Sequence, residues 1–323
     1  MTTPALPTLA EIEAAAQVVY REFPPTPQYR WGLLSERLGA DCWVKHENHT
    51  PVGAFKIRGG LSFFAALQGR GELPREVISA TRGNHGQSIG WAARAHGVAC
   101  TIVVPRGNSA EKNAAMRALG VKLIEHGDDF TESSDHAARL AEARGALRVP
   151  SFHMDLVSGV ATYWWEFLRA VPQMDVAYVP IGLGSGACAA IAAKLALGHP
   201  ARIVGVVSNQ AITYADSLAA GRVVEAPATT RLADGMAVRR ADPAALAVLA
   251  AHLDHVVRVS DDEVAAAMRA IYTDTHNLAE GAGAAAFAAA WQERASLRGQ
   301  CVGVVLTGAN VDAPVFAEVL QGG

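Results

Sequence analysis

Short apolar runs alternate with amphipathic segments over most of the chain. The runs predict buried strands, and the segments between them predict helices. The predicted strands cover residues 76–81, 99–104, 121–124, 176–180, 202–207 and 301–306. The predicted helices cover residues 85–96, 109–119, 130–144, 186–197 and 260–274. Strands and helices in alternation are typical of α/β proteins with parallel sheets.

Two helix starts are marked by pairs of hydrogen-bonding residues. Glu11 follows Thr8 by three positions, and Glu263 follows Ser260 in the same way. This spacing predicts capping boxes, in which the two side chains satisfy free backbone N–H groups. We therefore expect one helix to begin just after Thr8 and another just after Ser260.

The order of the segments predicts two α/β domains, which the length of 323 residues readily accommodates. We expect residues 1–75 and 149–323 to form a large domain and residues 76–148 to form a small one. Each domain should contain a largely parallel sheet flanked by helices.

Composition and charge exclude several classes of partner. Half of the residues are hydrophobic, the formal net charge is −3, and no basic cluster is longer than a pair such as Arg239-Arg240. These features argue against a nucleic-acid surface. No apolar run approaches the roughly 20 residues that a membrane span needs. We therefore expect a small-molecule ligand and no contact with nucleic acid or membrane.

The four cysteines indicate a reducing compartment. They lie far apart, form no Cys-x-x-Cys pair, and fall in or beside apolar runs at Cys42, Cys100, Cys188 and Cys301. Free buried thiols are the expected reading. The first residues also lack a basic segment followed by an apolar one. We therefore expect a cytoplasmic protein.

Three glycine-bearing loops follow predicted strands, at residues 81–86, 182–186 and 307–310. Backbone N–H groups and the helix dipole bind anions at such positions. The loop at 182–186 suits a phosphate, but it lacks the lysine of a Walker loop. It also lacks the last glycine of a dinucleotide fingerprint, because Ala187 stands there. Taken alone, these glycines equally fit close packing of a helix on a strand.

The loop at 81–86 combines two glycines with a hydroxyl, a guanidinium, an amide and an imidazole. This set suits a carboxylate or a polar ring substituent. The competing interpretation is that Asn84 and His85 cap the helix that follows.

Lys56 stands where a glycine turn leads into an apolar helix start. A buried amine there is costly unless it is neutralised or bonded. Schiff-base formation with a carbonyl cofactor is one chemistry that uses such an amine. A lysine whose stem packs while its head reaches water is the commoner case for an isolated lysine.

Together these segments resemble the fold-type-II pyridoxal-phosphate enzymes, and among them the serine/threonine dehydratase and serine racemase group. The matching segments occur in the family's order, at 45–48, 53–59, 83–87, 182–186, 233–235, 280–283 and 307–312. The resemblance implies a two-domain α/β fold like that of tryptophan synthase β, with pyridoxal 5'-phosphate as cofactor. It also makes a homodimer the expected assembly.

The resemblance implies cofactor contacts for Lys56, Phe55, Asn84, Gly182, Leu183, Gly184, Ser185, Gly186, Glu280 and Thr307. It implies substrate contacts around the loop that holds the substrate carboxylate, formed by Thr81, Arg82, Gly83 and His85. Lys56 would form the Schiff base and later remove the α-proton. Phe55 would pack on the pyridine ring, Asn84 would bind its phenolic oxygen, and the backbone of 182–186 would hold the phosphate.

The implied reaction is β-elimination from a 3-hydroxy amino acid, which yields a 2-oxo acid and ammonia. L-Threonine or L-serine is the expected substrate. Thr307 would face the pyridine nitrogen and, being neutral, need not keep that nitrogen protonated. A carbanion on a neutral ring is less stabilised, which favours prompt loss of the β-substituent over transamination.

Arg82 is the main departure from the family pattern, which commonly has a serine base at this position. Arginine stays protonated and is a poor base, so we expect little racemase activity. Arg82 also leaves open a bulkier or acidic substrate, such as 3-hydroxyaspartate, phenylserine or a hydroxyectoine-degradation intermediate. The competing interpretation is that Arg82 turns outward to a surface acid.

We expect no metal dependence, because the acidic positions of the family's cation site fall on Val207 and Thr213. Other functions remain open. A β-replacement synthase on the same fold is one of them, although the motif set resembles that branch less. A nucleotide-binding oxidoreductase would use the loop at 182–186 but would leave Lys56 unexplained. A non-catalytic cofactor carrier would use Lys56 but would release no ammonia.

Overall fold

The computed structural model describes residues 3–322. Its helices are α1 (Leu9–Val19), α2 (Gly32–Leu38), α3 (Lys56–Gly69), α4 (Asn84–Ala95), α5 (Ala110–Ala118), α6 (Phe130–Arg144), α7 (Met154–Ala170), α8 (Ser185–Leu197), α9 (Thr213–Ala220), α10 (Pro243–His252), α11 (Asp261–Thr275), α12 (Gly281–Gln292) and α13 (Ala313–Gln321). Its strands are β1 (Gln28–Arg30), β2 (Asp41–His46), β3 (Glu76–Ala80), β4 (Ala99–Val104), β5 (Lys122–Glu125), β6 (Leu147–Arg148), β7 (Val176–Pro180), β8 (Arg202–Ser208), β9 (Val256–Val259) and β10 (Cys301–Leu306). Short 3-10 turns span Glu47–His49, Asp234–Met236 and Arg294–Ser296.

The strands form two sheets. The larger has six strands in the order β1-β2-β10-β7-β8-β9, and only the β1–β2 pair is antiparallel. The smaller has four parallel strands in the order β5-β4-β3-β6, all of them within residues 76–148. Two largely parallel sheets flanked by helices are the predicted α/β fold class. The boundaries drawn between the domains stay a prediction.

Both predicted capping boxes are confirmed. Thr8 and Glu11 exchange hydrogen bonds at the start of α1, and Ser260 and Glu263 do so at the start of α11. Among the other predicted elements, three strands have the predicted bounds, and α4 begins one residue earlier than predicted, at Asn84.

The α3 and α7 helices cross closely enough to exclude a side chain at the contact. A Cβ placed on Gly159 would lie 2.1 Å from the carbonyl oxygen of Arg58. A glycine is therefore needed at this crossing, because backbone atoms fill the space that any side chain would take. The contact fixes the first turn of α3, where Lys56 lies.

A cluster of buried charges lies behind that same turn. Arg58 donates to Glu47 and to Glu166, with its shortest contacts at 2.7 and 2.6 Å. Lys45 donates to the other oxygen of Glu166 at 2.5 Å. Two cations thus balance two anions, and all four side chains are buried. Such a cluster is tolerated because every charge is paired and hydrogen-bonded.

Cys42, Cys100, Cys188 and Cys301 are free and buried, as predicted. Within residues 3–322, no helix combines the length and the apolar character that crossing a membrane requires. The same residues contain no group of three or more His, Cys, Asp or Glu side chains placed to hold a metal ion. The predicted independence from metal stays a prediction.

Candidate active site

One cavity brings together every residue to which the sequence assigned a site role. Its wall contains loops that follow the carboxyl ends of strands, as is usual for ligand sites in open α/β sheets. The predicted residues in the lining are Phe55, Lys56, Thr81, Arg82, Gly83, Asn84, His85, Gly182, Leu183, Gly184, Ser185, Gly186, Glu280 and Thr307. Their shared location is observed, whereas the role of each stays a prediction.

Lys56 begins helix α3, and its amine faces the glycine loop. The Nζ atom donates to Ser185 Oγ at 3.1 Å and lies 5.0 Å from the centre of the Phe55 ring. Burial lowers the pKa of Lys56 to about 8, although Glu280 acts in the opposite direction. A sizeable fraction of the amine is therefore neutral near pH 8, as a nucleophile or base requires.

Backbone hydrogen bonds hold the turn before Lys56 against the strand that ends at Thr307. The Phe55 N–H donates to the Thr307 carbonyl at 3.0 Å, and the Ala309 N–H donates to the Gly53 carbonyl at 2.9 Å. The Lys56 carbonyl accepts from Ser88 Oγ at 2.6 Å. The amine and the Thr307 hydroxyl consequently belong to one rigid unit on the cavity wall.

The loop at 182–186 turns from β7 into α8 in a conformation that needs glycine. Gly184 has a φ of 97°, in the left-handed region. A Cβ on Gly182 would lie only 2.4 Å from the Gly235 carbonyl oxygen. Helix α8 starts at Ser185, so the free N–H groups of its first turn open at the cavity. Such a terminus suits a phosphate.

The loop at 81–86 presents unpartnered polar atoms to the same cavity. Thr81 Oγ1 accepts from the Gly83 and Gly86 N–H groups and so fixes the loop. Burial, with a further effect of Lys56, lowers the pKa of His85 to about 3, so the imidazole is neutral. The Nε2 atom of His85 and the Nε atom of Arg82 are buried without a partner.

Arg82 lines the cavity and forms no ion pair within residues 3–322. The competing interpretation, in which Arg82 turns outward to a surface acid, therefore does not describe this structure. A guanidinium at this position leaves the cavity wall without the serine base of the racemase pattern.

Asn84 is held by two side chains. Its amide nitrogen donates to Glu280 Oε1 at 2.7 Å, and its oxygen accepts from Asn310 at 2.8 Å. Burial raises the pKa of Glu280 to about 7; Lys112 acts against this rise and Asp234 adds to it. Glu280 Oε2 has no hydrogen-bond partner. The carboxyl group can therefore gain or lose a proton near neutral pH inside the cavity.

The sequence assigned no site role to the cavity residues Lys112, Asp234 and Tyr163, although Asp234 lies in the family-like segment 233–235. Lys112 Nζ donates to Asp234 at 2.6 Å and lies 3.9 Å from Glu280. Its stem occupies the space where Gly83 would carry a Cβ. A signal existed, because Lys112 lies four residues before the buried Met116 and hence on the buried face of α5. Tyr163 lies in an apolar helical stretch that predicts core packing alone.

The residues fit an anionic aldehyde cofactor. Arg82 Nε, His85 Nε2, Tyr163 Oη and Glu280 Oε2 are all buried in the lining without partners. Buried polar atoms normally have partners, so unpartnered ones in a cavity wall point to a ligand. The amine of Lys56 suits an aldehyde, and the start of α8 suits a phosphate.

The fold and this site define an enzyme that uses pyridoxal phosphate. Residues 19–308 match the family described as pyridoxal-phosphate dependent enzymes, and the chain belongs to that family. The predicted family, fold class and cofactor are thereby confirmed.

Relatives agree with this assignment. The L-threonine ammonia-lyase of Geobacter sulfurreducens is 37% identical over 90% of this chain and 72% of its own length. The L-threonine ammonia-lyase of Thermotoga maritima is 30% identical over 98% of this chain and 79% of its own length. The structure of processed threonine deaminase isoform 2 from Solanum lycopersicum has a TM-score of 0.87 and 27% identity, covering 99% of this chain and 95% of that one.

Proposed function

We propose that the chain converts a 3-hydroxy amino acid into a 2-oxo acid and ammonia, with L-threonine as its main substrate and L-serine as a second one. The observation that carries this proposal is the Lys56 amine, which lies 3.1 Å from Ser185 Oγ at the start of α8. An amine with a lowered pKa beside a phosphate-type loop is the arrangement that this chemistry needs. The relatives named L-threonine ammonia-lyase support threonine as the substrate.

Residues already described would hold the cofactor. The backbone of 182–186 and Ser185 would bind the phosphate, Phe55 would pack on the ring, and Asn84 would bind a polar ring substituent. When bound, pyridoxal phosphate supplies an aldehyde that reacts with amines and a conjugated ring that takes up negative charge from the α-carbon.

Lys56 is the proposed base. Its neutral Nζ takes the proton from the α-carbon of the substrate, while the hydrogen bond to Ser185 Oγ fixes the position of the amine. The carbon–oxygen bond to the β-hydroxyl then breaks, and the hydroxyl takes up the proton that Lys56 Nζ has gained and leaves as water, which returns Lys56 to its neutral form. The released enamine tautomerises and reacts with water, which gives the 2-oxo acid and ammonia.

The surroundings favour elimination over racemisation. A racemase needs a second base on the opposite face, and the residue next to the carboxylate loop is Arg82, which stays protonated. Thr307, which would face the pyridine nitrogen, lines the cavity and is neutral, so it provides no carboxylate that would keep this nitrogen protonated. We therefore expect D-serine to form from L-serine far more slowly than ammonia does.

The substrate would lie with its carboxylate at the loop of Thr81, Gly83 and His85. Apolar side chains line the cavity beyond it, at Phe130, Leu183, Met236 and Val238. These residues would accept the methyl group of threonine at little cost, because burying a methyl group is favourable. These apolar residues offer no charged partner for a substrate with an acidic side chain. Arg82 is the cavity residue that could pair with such a substrate.

The experiment is a 2-oxo-acid assay of the purified protein across L-threonine, L-serine, 3-hydroxyaspartate and phenylserine. Wild type should be yellow and release ammonia fastest from L-threonine. A Lys56→Ala variant should lose the visible absorption of the bound cofactor and at least 1000-fold in kcat, as expected for loss of a base and nucleophile. A colourless wild-type protein that cannot be reconstituted with pyridoxal phosphate would contradict the proposed function. Fastest turnover of 3-hydroxyaspartate would replace threonine with an acidic substrate.

We also propose a cytoplasmic homodimer. This assembly was expected from the family resemblance, and the four free buried thiols suit a reducing compartment. Sedimentation velocity of the holoenzyme should give about twice the mass of the 33.9 kDa chain. A species of one chain mass at micromolar concentration would contradict the dimer.

A further inference from the structure

Tyr163 carries a buried hydroxyl that has no hydrogen-bond partner. The side chain is fully buried in α7 and yet forms part of the cavity wall. Its Oη atom is one of the unpartnered polar atoms of the lining. Leaving a hydroxyl buried and unbonded costs about 1–3 kcal/mol. A ligand that accepts a hydrogen bond would remove this cost.

The hydroxyl lies beside the first turn of α8. A Cβ placed on Gly186 would be 3.8 Å from Tyr163 Oη and 3.8 Å from the tip of the Phe55 ring. The Phe55 and Tyr163 rings meet edge to face, with their centres 5.9 Å apart. Tyr163 thus stands behind the residue expected to pack on the cofactor and next to the loop expected to hold the phosphate.

Neighbouring groups leave the proton of this hydroxyl unused. The indole N–H of Trp164 donates to the Gly186 carbonyl at 3.2 Å, and because an indole only donates, its weaker approach to Tyr163 Oη leaves the tyrosine O–H free. The Arg58 guanidinium lies 5.9 Å from the centre of the Tyr163 ring and is bonded to Glu47 and Glu166. The hydroxyl remains available to the cavity.

The phenol keeps its proton at neutral pH. Burial, with a further contribution from Glu47, raises the pKa of Tyr163 well above its usual value of 10.0, and Trp164 and Arg58 only partly oppose the rise. Tyr163 is therefore a neutral O–H donor, and an anion is the best acceptor for it. A hydrogen bond to a charged acceptor is stronger than one between neutral groups.

We propose that Tyr163 donates its hydroxyl proton in a hydrogen bond to the phosphate group of the cofactor, as a phosphate contact additional to the loop at 182–186. The inference rests on the pyridoxal-phosphate site and is independent of which amino acid the enzyme converts. It assigns a cofactor contact to Tyr163, although the apolar pattern around this residue in α7 predicts packing in the core.

The test compares Tyr163→Phe with wild type in binding the whole cofactor and its phosphate-free form. Apoprotein is titrated with pyridoxal phosphate and separately with pyridoxal, and dissociation constants are taken from cofactor absorbance and equilibrium dialysis. Tyr163→Phe should weaken binding of pyridoxal phosphate about 10- to 150-fold, the range expected for one hydrogen bond to a charged group. Binding of pyridoxal should change less than 2-fold.

Tyr178→Phe is the matched control. Tyr178 is also a buried tyrosine, but its hydroxyl donates to Glu293 at 2.6 Å and it does not line the cavity. Its removal should leave both dissociation constants unchanged. The ³¹P resonance of the bound cofactor gives a second measurement, and it should shift in Tyr163→Phe and not in Tyr178→Phe.

The outcomes separate this inference from the proposed function. Equal binding of pyridoxal phosphate by Tyr163→Phe and wild type, with an unchanged ³¹P resonance, would overturn the phosphate contact alone. An equal loss of affinity for both ligands would also overturn it, because the hydroxyl would then act on the ring or on the fold. A wild type that binds neither ligand would overturn the proposed function itself.

Discussion

Glu280 is a buried carboxyl group whose protonation should make the stability of the protein depend on pH. It is almost fully buried, shares one oxygen with Asn84, and leaves the other unpartnered. Lys112 lies 3.9 Å away but gives its hydrogen bond to Asp234. Burial therefore disfavours the charged carboxylate more than Lys112 stabilises it. The pKa of Glu280 is raised to about 7 as a result.

A raised carboxyl pKa lowers stability as pH increases. Between the unfolded pKa of 4.5 and the folded value of about 7, the folded state holds the proton that the unfolded state has lost. Stability of the apoprotein should fall through this window by about 2–3 kcal/mol. Glu280→Gln should remove most of that fall, and urea denaturation at pH 5 and pH 8 measures it. An equal fall in both proteins would place its origin at another group.

At the scale of single elements, the sequence predicted best the strands and helices whose apolar residues follow one clear pattern. The strands at 99–104, 176–180 and 301–306 have the predicted bounds, because each is a mainly apolar run in which every residue except Ala99 and Pro180, at strand ends, is buried. Helix α8 was predicted to within one residue, whereas α12 is alanine-rich and buried almost all round, so it has no polar face to mark it. The short edge strands β1 and β6 span three and two residues, too few to show a period.

The candidate site was predicted better than its surroundings. The three glycine-bearing loops at 81–86, 182–186 and 307–310 carried recognisable glycines and polar groups, so their site residues could be found in the sequence. Lys112 and Tyr163 were missed because they reach the cavity from helices α5 and α7, and only Lys112 had a signal, its spacing to the buried Met116. A helix interior predicts packing, and only the crossing of elements decides which side chain meets the cavity.

Helix packing near Lys56 gives a prediction at this scale. Gly159→Ala would force its Cβ to within 2.1 Å of the Arg58 carbonyl and separate α7 from α3. We expect a loss of about 3 kcal/mol in the free energy of unfolding, because backbone atoms cannot yield as side chains do. Gly69→Ala is the control, since nothing lies within 4 Å of a Cβ there and the helix should gain up to about 1 kcal/mol. Equal changes in the free energy of unfolding for Gly159→Ala and Gly69→Ala, measured by chemical denaturation, would contradict the packing argument.

At the scale of the whole molecule, the cavity lies where contacts join elements of the two sheets. Lys112 of α5 meets Asp234 and Glu280. Near the same region, Ser109 donates to Asp312, and Asp129 at the start of α6 pairs with Arg239. Elements between strands of the smaller sheet thus contact loops that belong with the larger one, and the cofactor loops lie between them.

The buried charge cluster extends this argument to the stability of the whole chain. Arg58, Glu47, Glu166 and Lys45 connect the end of β2, the first turn of α3 and the middle of α7. Burial would raise the pKa of Glu166, but Arg58 and Lys45 outweigh it and hold that pKa below 4.5. The stabilising contribution of Glu166 is therefore complete above pH 4.5 and is lost as pH falls through its lower folded pKa.

Removing Arg58 should be among the most damaging single changes in the chain. Arg58→Met leaves two buried carboxylates facing Lys45 alone, and breaking a buried pair from one side costs about 3–5 kcal/mol. Arg70→Met is the control, because Arg70 is 44% exposed in its ion pairs and such surface pairs contribute about 0–1 kcal/mol. Urea denaturation at pH 7 should separate the two variants clearly, and below pH 4 the deficit of Arg58→Met should shrink as the carboxylates become protonated. A deficit that stays constant between pH 7 and pH 3 would mean that Arg58 stabilises the chain through its packing and not through its charge.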